Sequence, residues 1–425
     1  MKVLVIGGGG REHTIAHSLV RSPEVKKVFA APGNGGTAGM LENVPIKATD
    51  LAALRDFAIR EGIGLTVVGP EDPLTLGITD FFAEKKLKVF GPSSRAAIIE
   101  GSKVFAREFL ERIGVPQPQF RVFSDAREAA GFIESRKKSF PLVIKADGLA
   151  AGKGVIIAND KNEAVDAVNR IMVDKTFGDA GRSILIEECL RGKEVSFFII
   201  TDGVDLIPLQ TAQDYKRVGD GDTGPNTGGM GCYSPSAFLS SEQTEFVIER
   251  IMRPTVLGMA AEGRKYKGFL YGGLMMTEDG IKVLEFNCRM GDPEAEVLFP
   301  RIESDLIPYL LAVTEERLGA MKELVWKRES AVTVILASGG YPGKPDTGYE
   351  ITGIDIAESD ESVKVFHSGT TLKNCKIINT GGRVLAVTAL GGDIAKARSK
   401  AYEAVSHISF DGMHYRTDIA ADAIS

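Results

Sequence analysis

The chain has 425 residues, with 51 Lys and Arg against 57 Asp and Glu, giving a formal net charge of -6. That length suits two to four domains, and 44% hydrophobic with 25% charged residues is the composition of a soluble globular protein. The acidic balance argues against non-specific nucleic-acid binding, and no apolar run reaches the length of a membrane span, so neither nucleic acid nor membrane is expected as a partner.

The opening MKVLVIGGGG is too short for a signal h-region and has no cleavage site; it reads as a buried strand, 3–6, running into four glycines. Apolar strands at 28–31, 65–68 and 88–90 then alternate with helical patterns, one of them capped by Thr49-Asp50. Alternation of this kind predicts a parallel sheet with ligand loops at the strand ends. From Ser102 the rhythm changes. Ser102 caps a helix over 103–113, which Gly114 closes. Short strands follow at 142–146, 155–158, 184–187, 195–200 and 206–208, with a helix near 162–173. The Gly/Asp-rich stretch 214–231 is longer and more polar than a plain connector, which suits a functional loop. A helix around 242–262 precedes strands at 270–276 and 281–286, and from Trp326 strands at 332–337, 364–367 and 384–389 with a helix over 394–408 suggest a small α+β domain. Four cysteines (Cys189, Cys232, Cys288, Cys375) lack zinc-ligand spacing and read as reduced thiols of a cytoplasmic protein.

Two glycine loops differ from the usual nucleotide signatures. In the first, the third glycine of a dinucleotide fingerprint is replaced by Glu12 or His13, according to where the count starts. The second strand also ends without a ribose-binding acid. NAD is therefore not expected, and bare N–H groups before Arg11 suit an anion, with a tight structural turn as the plainer alternative. In the second loop, Lys145 to Gly154, only three residues separate Gly148 from Gly152-Lys153, and a strand follows instead of a helix. It is not a Walker loop but a flap between strands, able to cover phosphates with backbone donors and a lysine.

The strand ending Glu285-Phe286-Asn287-Cys288-Arg289 carries the third signal. Glu285 and Asn287 share a face because the strand period is two, and two hard oxygen ligands suit magnesium with phosphate oxygens. Arg289 has the same parity and suits a transferring phosphoryl group. A surface salt bridge of Glu285 with Arg289 is the bland alternative.

Six runs appear in order: GGGGREH at 7–13, VVGPE at 67–71, EGSK at 100–103, KADGLAAGKG at 145–154, DTGPNTGGMG at 222–231 and EFNCRMGDPE at 285–294. Together they make the chain similar to the ATP-grasp superfamily, and within it to the phosphoribosylamine–glycine ligase (glycinamide ribonucleotide synthetase) family, over essentially the whole length. The resemblance implies an α/β fold: a Rossmann-like domain at 1–101, an ATP-grasp domain at 102–325 with a flap subdomain at about 120–190, and an α+β domain at 326–425. It implies ligation of glycine to 5-phosphoribosylamine by a cytoplasmic enzyme, with a monomer favoured. ATP would be a substrate, held by Lys103, Lys145, Gly152, Lys153 and Gly154 at its phosphates. Backbone groups of Glu187 and Leu190 would take adenine, and Glu194 the ribose. Glu285 and Asn287 would bind Mg2+ or Mn2+, and Arg289 would steady the acyl phosphate. Gly9, Gly10, Arg11, Glu12, Glu71, Asp214 and Asp292 would meet the other substrates. The strand before Glu285 offers no further acidic metal ligand, only Gly272-Gly273-Leu274 and Met275-Met276. Two readings compete: another ATP-grasp enzyme of purine or carboxylation chemistry, against which the run 222–231 counts, and a non-catalytic nucleotide-binding regulator, which would not need Glu285, Asn287 and Arg289 together.

Overall fold

The computed structural model describes residues 1–136, 140–149 and 154–424. Five short strands near the start form an all-parallel sheet in the order Glu42–Asn43, Lys27–Pro32, Lys2–Gly7, Leu65–Val68, Val89–Phe90. Val3, Leu4, Val5 and Ile6 are all fully buried, as both faces of a parallel sheet must be. The strand order reverses between Lys2–Gly7 and Leu65–Val68, where Ile6 pairs with Val68. Their carboxyl ends therefore flank the crevice where open α/β sheets bind ligands. The helix Leu51–Glu61 starts as expected, with Asp50 accepting from Ala53 N, and ends on Gly62, whose φ of 65° a glycine adopts without strain.

Two four-stranded antiparallel sheets follow. One has the order Phe120–Phe123, Ile184–Glu188, Leu142–Ala146, Val155–Ala158, with the helices Ala126–Ser135 and Lys161–Val168 packed on it through Ala129, Ile133, Ala164 and Val168. The other has the order Leu206–Pro208, Lys193–Thr201, Gly268–Thr277, Gly280–Asn287. Phe90, Phe269 and Phe299 lock this sheet to the N-terminal one, with ring centroids 4.7 Å and 5.9 Å apart in edge-on geometry. Such pairs add about 0.5–1.5 kcal/mol each beyond the area they bury. The two sheets are thus held in a fixed relation.

The last sheet holds a finding the sequence did not suggest. Its order is Gln213–Asp214, Gly231–Ser234, Ser330–Ala337, Arg383–Gly391, Val363–His367, covered by the helix Ile394–His407. Both ends of the Gly/Asp-rich stretch are therefore strands of the C-terminal sheet, and its middle folds back as the pair Arg217–Gly219 and Thr223–Asn226. Its polar sequence hides this, because Gly231–Ser234 is held by Ser330–Ala337, far along the chain. Among the described residues no helix is long and apolar enough to cross a membrane.

Candidate active site

The strand Gly280–Asn287 builds the centre. Pairing with Gly268–Thr277 slips by one residue: Leu274 faces Val283, but Gly273 faces Glu285. Leu284 is the extra residue, and a bulge of this kind re-aims the side chains that follow. The carbonyl it leaves unpaired is taken by Arg107 Nη2 at 2.8 Å and Lys145 Nζ at 3.2 Å. Beyond the bulge the register is regular, with Tyr271 facing Asn287, so Glu285 and Asn287 do share a face. Burial works against the charge on Glu285, but Lys216, Lys145, Lys103 and Arg289 outweigh it and hold the pKa below the ordinary value. Asn287 satisfies both ends of its amide when its nitrogen donates to Phe286 O (3.0 Å) and its oxygen accepts from Arg289 Nη1 (3.3 Å).

Arg289 is clamped by two carboxylates from the N-terminal part of the chain. Its Nε donates to Glu71 Oε2 at 2.9 Å and its Nη2 to Glu100 Oε1 at 2.8 Å. Glu100 also accepts from Cys288 N at 2.6 Å. Burial opposes the charge on Glu71, but Arg289 and Arg11 overcome it and bring its pKa down to about 2. The sequence suggested Glu71 as a direct substrate contact; the structure gives its carboxylate to Arg289. Glu100 stands in the EGSK run, but nothing in the sequence marked its side chain as an arginine partner.

A cavity of about 480 Å³ brings together Arg11, Glu71, Lys145, Glu187, Leu190, Glu194, Asp214, Glu285, Asn287, Arg289 and Asp292. A second space of about 150 Å³ adjoins it through Lys145, Glu285, Asn287 and Arg289, and adds Lys103 and Gly154. Gly152 and Lys153 lie outside the described residues. Lys103 Nζ reaches Gly148 O at 2.8 Å, tying the flap's base to the helix Lys103–Arg112. Lys145 Nζ lies 2.9 Å from Glu187, whose carboxylate also takes both ends of the Arg107 guanidinium at 2.6 Å and 3.0 Å. The Glu187 side chain is thus a structural anion, which leaves only its backbone to face a ligand. Arg107 is another residue the sequence did not single out.

The N-terminal glycine loop departs from expectation. Gly9 N donates to Glu12 Oε2 at 2.6 Å, and Gly10 N to Ser368 Oγ at 2.8 Å. Glu12 is bound in turn by Arg11 Nε at 2.5 Å. Asp292 accepts from the Arg11 backbone N–H; burial opposes its charge, but Arg383, Arg11 and Arg289 keep its pKa low. At the helix start expected to hold a ligand anion through Gly9 and Gly10, the Gly9 N–H is therefore taken by the Glu12 carboxylate and the Gly10 N–H by the Ser368 hydroxyl. Glu12 belongs to that internal network, and it does not line the cavity.

Two further cations were missed. Arg383, on a C-terminal strand, donates from Nη1 to Gly228 O (2.6 Å) and Asp292 O (2.8 Å), and its Nη2 sits 3.2 Å from Asp292 Oδ1. Lys216 lies 3.3 Å from Asp214 and 3.6 Å from Glu194. Lys216 stands inside the stretch read as functional, so its position was a usable signal; Arg383 had none.

Comparison with known families decides the relationship. The phosphoribosylglycinamide synthetase N domain matches residues 1–100, its ATP-grasp (A) domain residues 101–295 and its C domain residues 331–422. The chain belongs to the phosphoribosylglycinamide synthetase family. It is 49% identical over 428 residues to the phosphoribosylamine–glycine ligase of Salmonella typhimurium, covering 100% of this chain and 99% of that one. It is 49% identical over 427 residues to the trifunctional purine biosynthetic protein adenosine-3 of Gallus gallus, and there spans 42% of the longer protein. The crystal structure of phosphoribosylamine–glycine ligase from Thermotoga maritima superposes with a TM-score of 0.86 at 34% identity, covering 99% of this chain and 100% of that one. The fold is thus the three-part ATP-grasp architecture of this family, as the sequence motifs implied.

Proposed function

We propose that this chain joins glycine to 5-phosphoribosylamine at the expense of ATP, giving glycinamide ribonucleotide, ADP and phosphate, in the cytoplasm. The observation that carries this is the shared cavity, in which the lysines, the Glu285–Asn287 strand end and the clamped Arg289 face one space in a chain of this family. The division into 1–101, 102–325 and 326–425, with a flap subdomain at about 120–190, goes with it, two strands of the middle part being lent to the last sheet.

A carboxylate acylates poorly because its oxygen is a poor leaving group. Transfer of the terminal phosphoryl group of ATP to glycine gives glycyl phosphate, which the amine then attacks. In such transfers positioning and charge neutralisation do most of the work. Lys103, Lys145 and Gly154 line the space assigned to the phosphates; Gly152 and Lys153, outside the described residues, are assigned to them from the sequence motif alone. The backbone of Glu187 and Leu190 takes adenine, and Glu194 the ribose hydroxyls. Glu285 is held ionised, and with the Asn287 oxygen it forms a hard-oxygen pair that fits Mg2+ or Mn2+. Both would hold that ion, which supplies charge neutralisation at the phosphates. Among the described residues no group of three or more His, Cys, Asp or Glu is placed to hold a metal ion. Arg289 steadies the acyl phosphate in the orientation that Glu71 and Glu100 impose. Arg11 and Asp292 line the ribonucleotide end of the cavity.

The test is ADP release with ATP, magnesium, glycine and freshly made 5-phosphoribosylamine, omitting each in turn. Full turnover that needs all four supports the reading. ADP release indifferent to glycine, or ATP binding without turnover, overturns it.

A further inference from the structure

Asp214 ends the strand Gln213–Asp214 and faces Cys232 across the pairing with Gly231–Ser234. Its side chain is only 7% exposed, yet it lines the cavity. Oδ2 accepts from Lys216 Nζ at 3.3 Å, while Oδ1 is buried with no hydrogen-bond partner among the described residues. Gly229, at a φ of 112°, leaves room for it: a side chain there would meet Oδ1 at 2.6 Å and the ring of Pro293. A buried carboxylate oxygen without a donor is costly, and such groups in a cleft mark chemistry more often than packing.

We propose that Asp214 is the general base of the second half-reaction, taking the proton released when the amine attacks glycyl phosphate. This rests on the ligation proposed above. The amine nitrogen bonds to the carbonyl carbon. The carbon–oxygen bond to phosphate breaks, and its electron pair leaves with phosphate. The extra proton on nitrogen passes to the Asp214 carboxylate, which lines the cavity, and then to solvent. The other carboxylates near the ribonucleotide end are poorer bases, because arginines hold Glu71 and Asp292 as permanent anions. Asp214 is different. Burial pushes its carboxyl up to about 7, Glu294 adds to the rise, and Lys216 and Arg383 resist it. Cys232 on the paired strand, Glu194 beyond Lys216, and Tyr271 across the cavity complete its charged and titratable surroundings. A base that titrates near the working pH best combines availability with proton affinity.

Two readouts separate the half-reactions. Positional isotope exchange in ATP labelled at the β,γ-bridge, with glycine and no amine, reads glycyl phosphate formation. Product formation with freshly made 5-phosphoribosylamine reads the amine step. Asp214→Asn should slow product formation by about 100- to 10,000-fold while exchange changes by less than about threefold, since its first half-reaction is intact. Asp214→Glu should recover part of the lost rate. In the unmutated protein, product formation should rise with pH through about 7, and exchange should lack that limb. Loss of exchange in Asp214→Asn with a raised glycine requirement would overturn the proposal and make Asp214 a ligand of the glycine ammonium. If that variant does not fold, the same limb in both profiles of the unmutated protein would overturn it equally. Absence of both exchange and product in the unmutated protein would instead defeat the ligation itself.

Discussion

Glu71 and Arg289, 218 residues apart in the chain, meet at 2.9 Å between Oε2 and Nε. The contact joins the loop after Leu65–Val68 to the end of Gly280–Asn287, so the N-terminal sheet orients the arginine at the phosphoryl end of the cavity. Glu71→Gln keeps the shape and removes the charge, leaving Glu100 as the sole carboxylate on that guanidinium. We expect kcat to fall by up to about 100-fold, the usual cost of misplacing a catalytic group by an ångström, with the KM for ATP little changed. Steady-state kinetics with ATP and 5-phosphoribosylamine titrated separately will show it. A rise confined to the KM for the amine would return Glu71 to direct substrate contact.

Glu285, held ionised on the central strand face, is the carboxylate proposed to hold the metal ion. Glu285→Ala should cut turnover by at least about 100-fold, in the range found when a key charge-stabilising group is lost, and should raise the magnesium concentration needed for half-maximal rate. Circular dichroism should match the unmutated protein. Unchanged activity at limiting magnesium would remove Glu285 from the metal site.

Gly10 is required by its neighbours. A Cβ there would meet Glu296 Oε1 and, at 2.8 Å, Ser368 Oγ. Glu296 is fully buried, so moving it aside must displace packed neighbours. Alanine gains at most about 1 kcal/mol of helix propensity, and overpacking a closed site costs about 1–3 kcal/mol. Sterics should win, so Gly10→Ala lowers the thermal midpoint by several degrees. A higher midpoint would mean that the contact with the C-terminal part is loose.

Three histidines join the helix Gly10–Leu19 to the strand Val363–His367. His13 Nδ1 accepts from His367 N at 2.9 Å, and His17 lies edge-on to Phe366. Burial lowers the pKa of His13 to about 3 and of His17 and His367 to about 4, from 6.5. With folded values depressed, the unfolded chain binds more protons below 6.5, so their stabilisation is full above that pH and drains as pH falls toward 4. Asp214, raised to about 7, has the opposite sign over much of that window, so the comparison must be with a variant. His13→Asn keeps an acceptor for His367 N and removes one titration. Between pH 6 and 5 the unmutated protein should lose about 1.4 kcal/mol per pH unit more than the variant. Parallel stability curves would contradict this.

Local sequence carried the strands, the Asp50 and Ser102 caps and the Glu285–Asn287 face, because each depends on neighbours within a few residues. What it could not carry is long-range pairing. The bond from Gly10 to Ser368 spans 358 residues, and that from Arg383 to Asp292 spans 91. The first closes the glycine loop against the C-terminal part, and the bond from Arg289, 218 residues away, makes Glu71 an arginine partner. The Asp214–Gly231 stretch read as a functional loop and not as strand, since the strand that begins at Gly231 is anchored by Ser330–Ala337, far along the chain.

The central claim is that glycine is activated as its acyl phosphate. Glycine labelled with 18O in its carboxylate, turned over with ATP and 5-phosphoribosylamine, tests it most directly by mass spectrometry of the released phosphate. The account predicts one labelled oxygen in phosphate for each glycinamide ribonucleotide formed. Unlabelled phosphate accompanying product would contradict it.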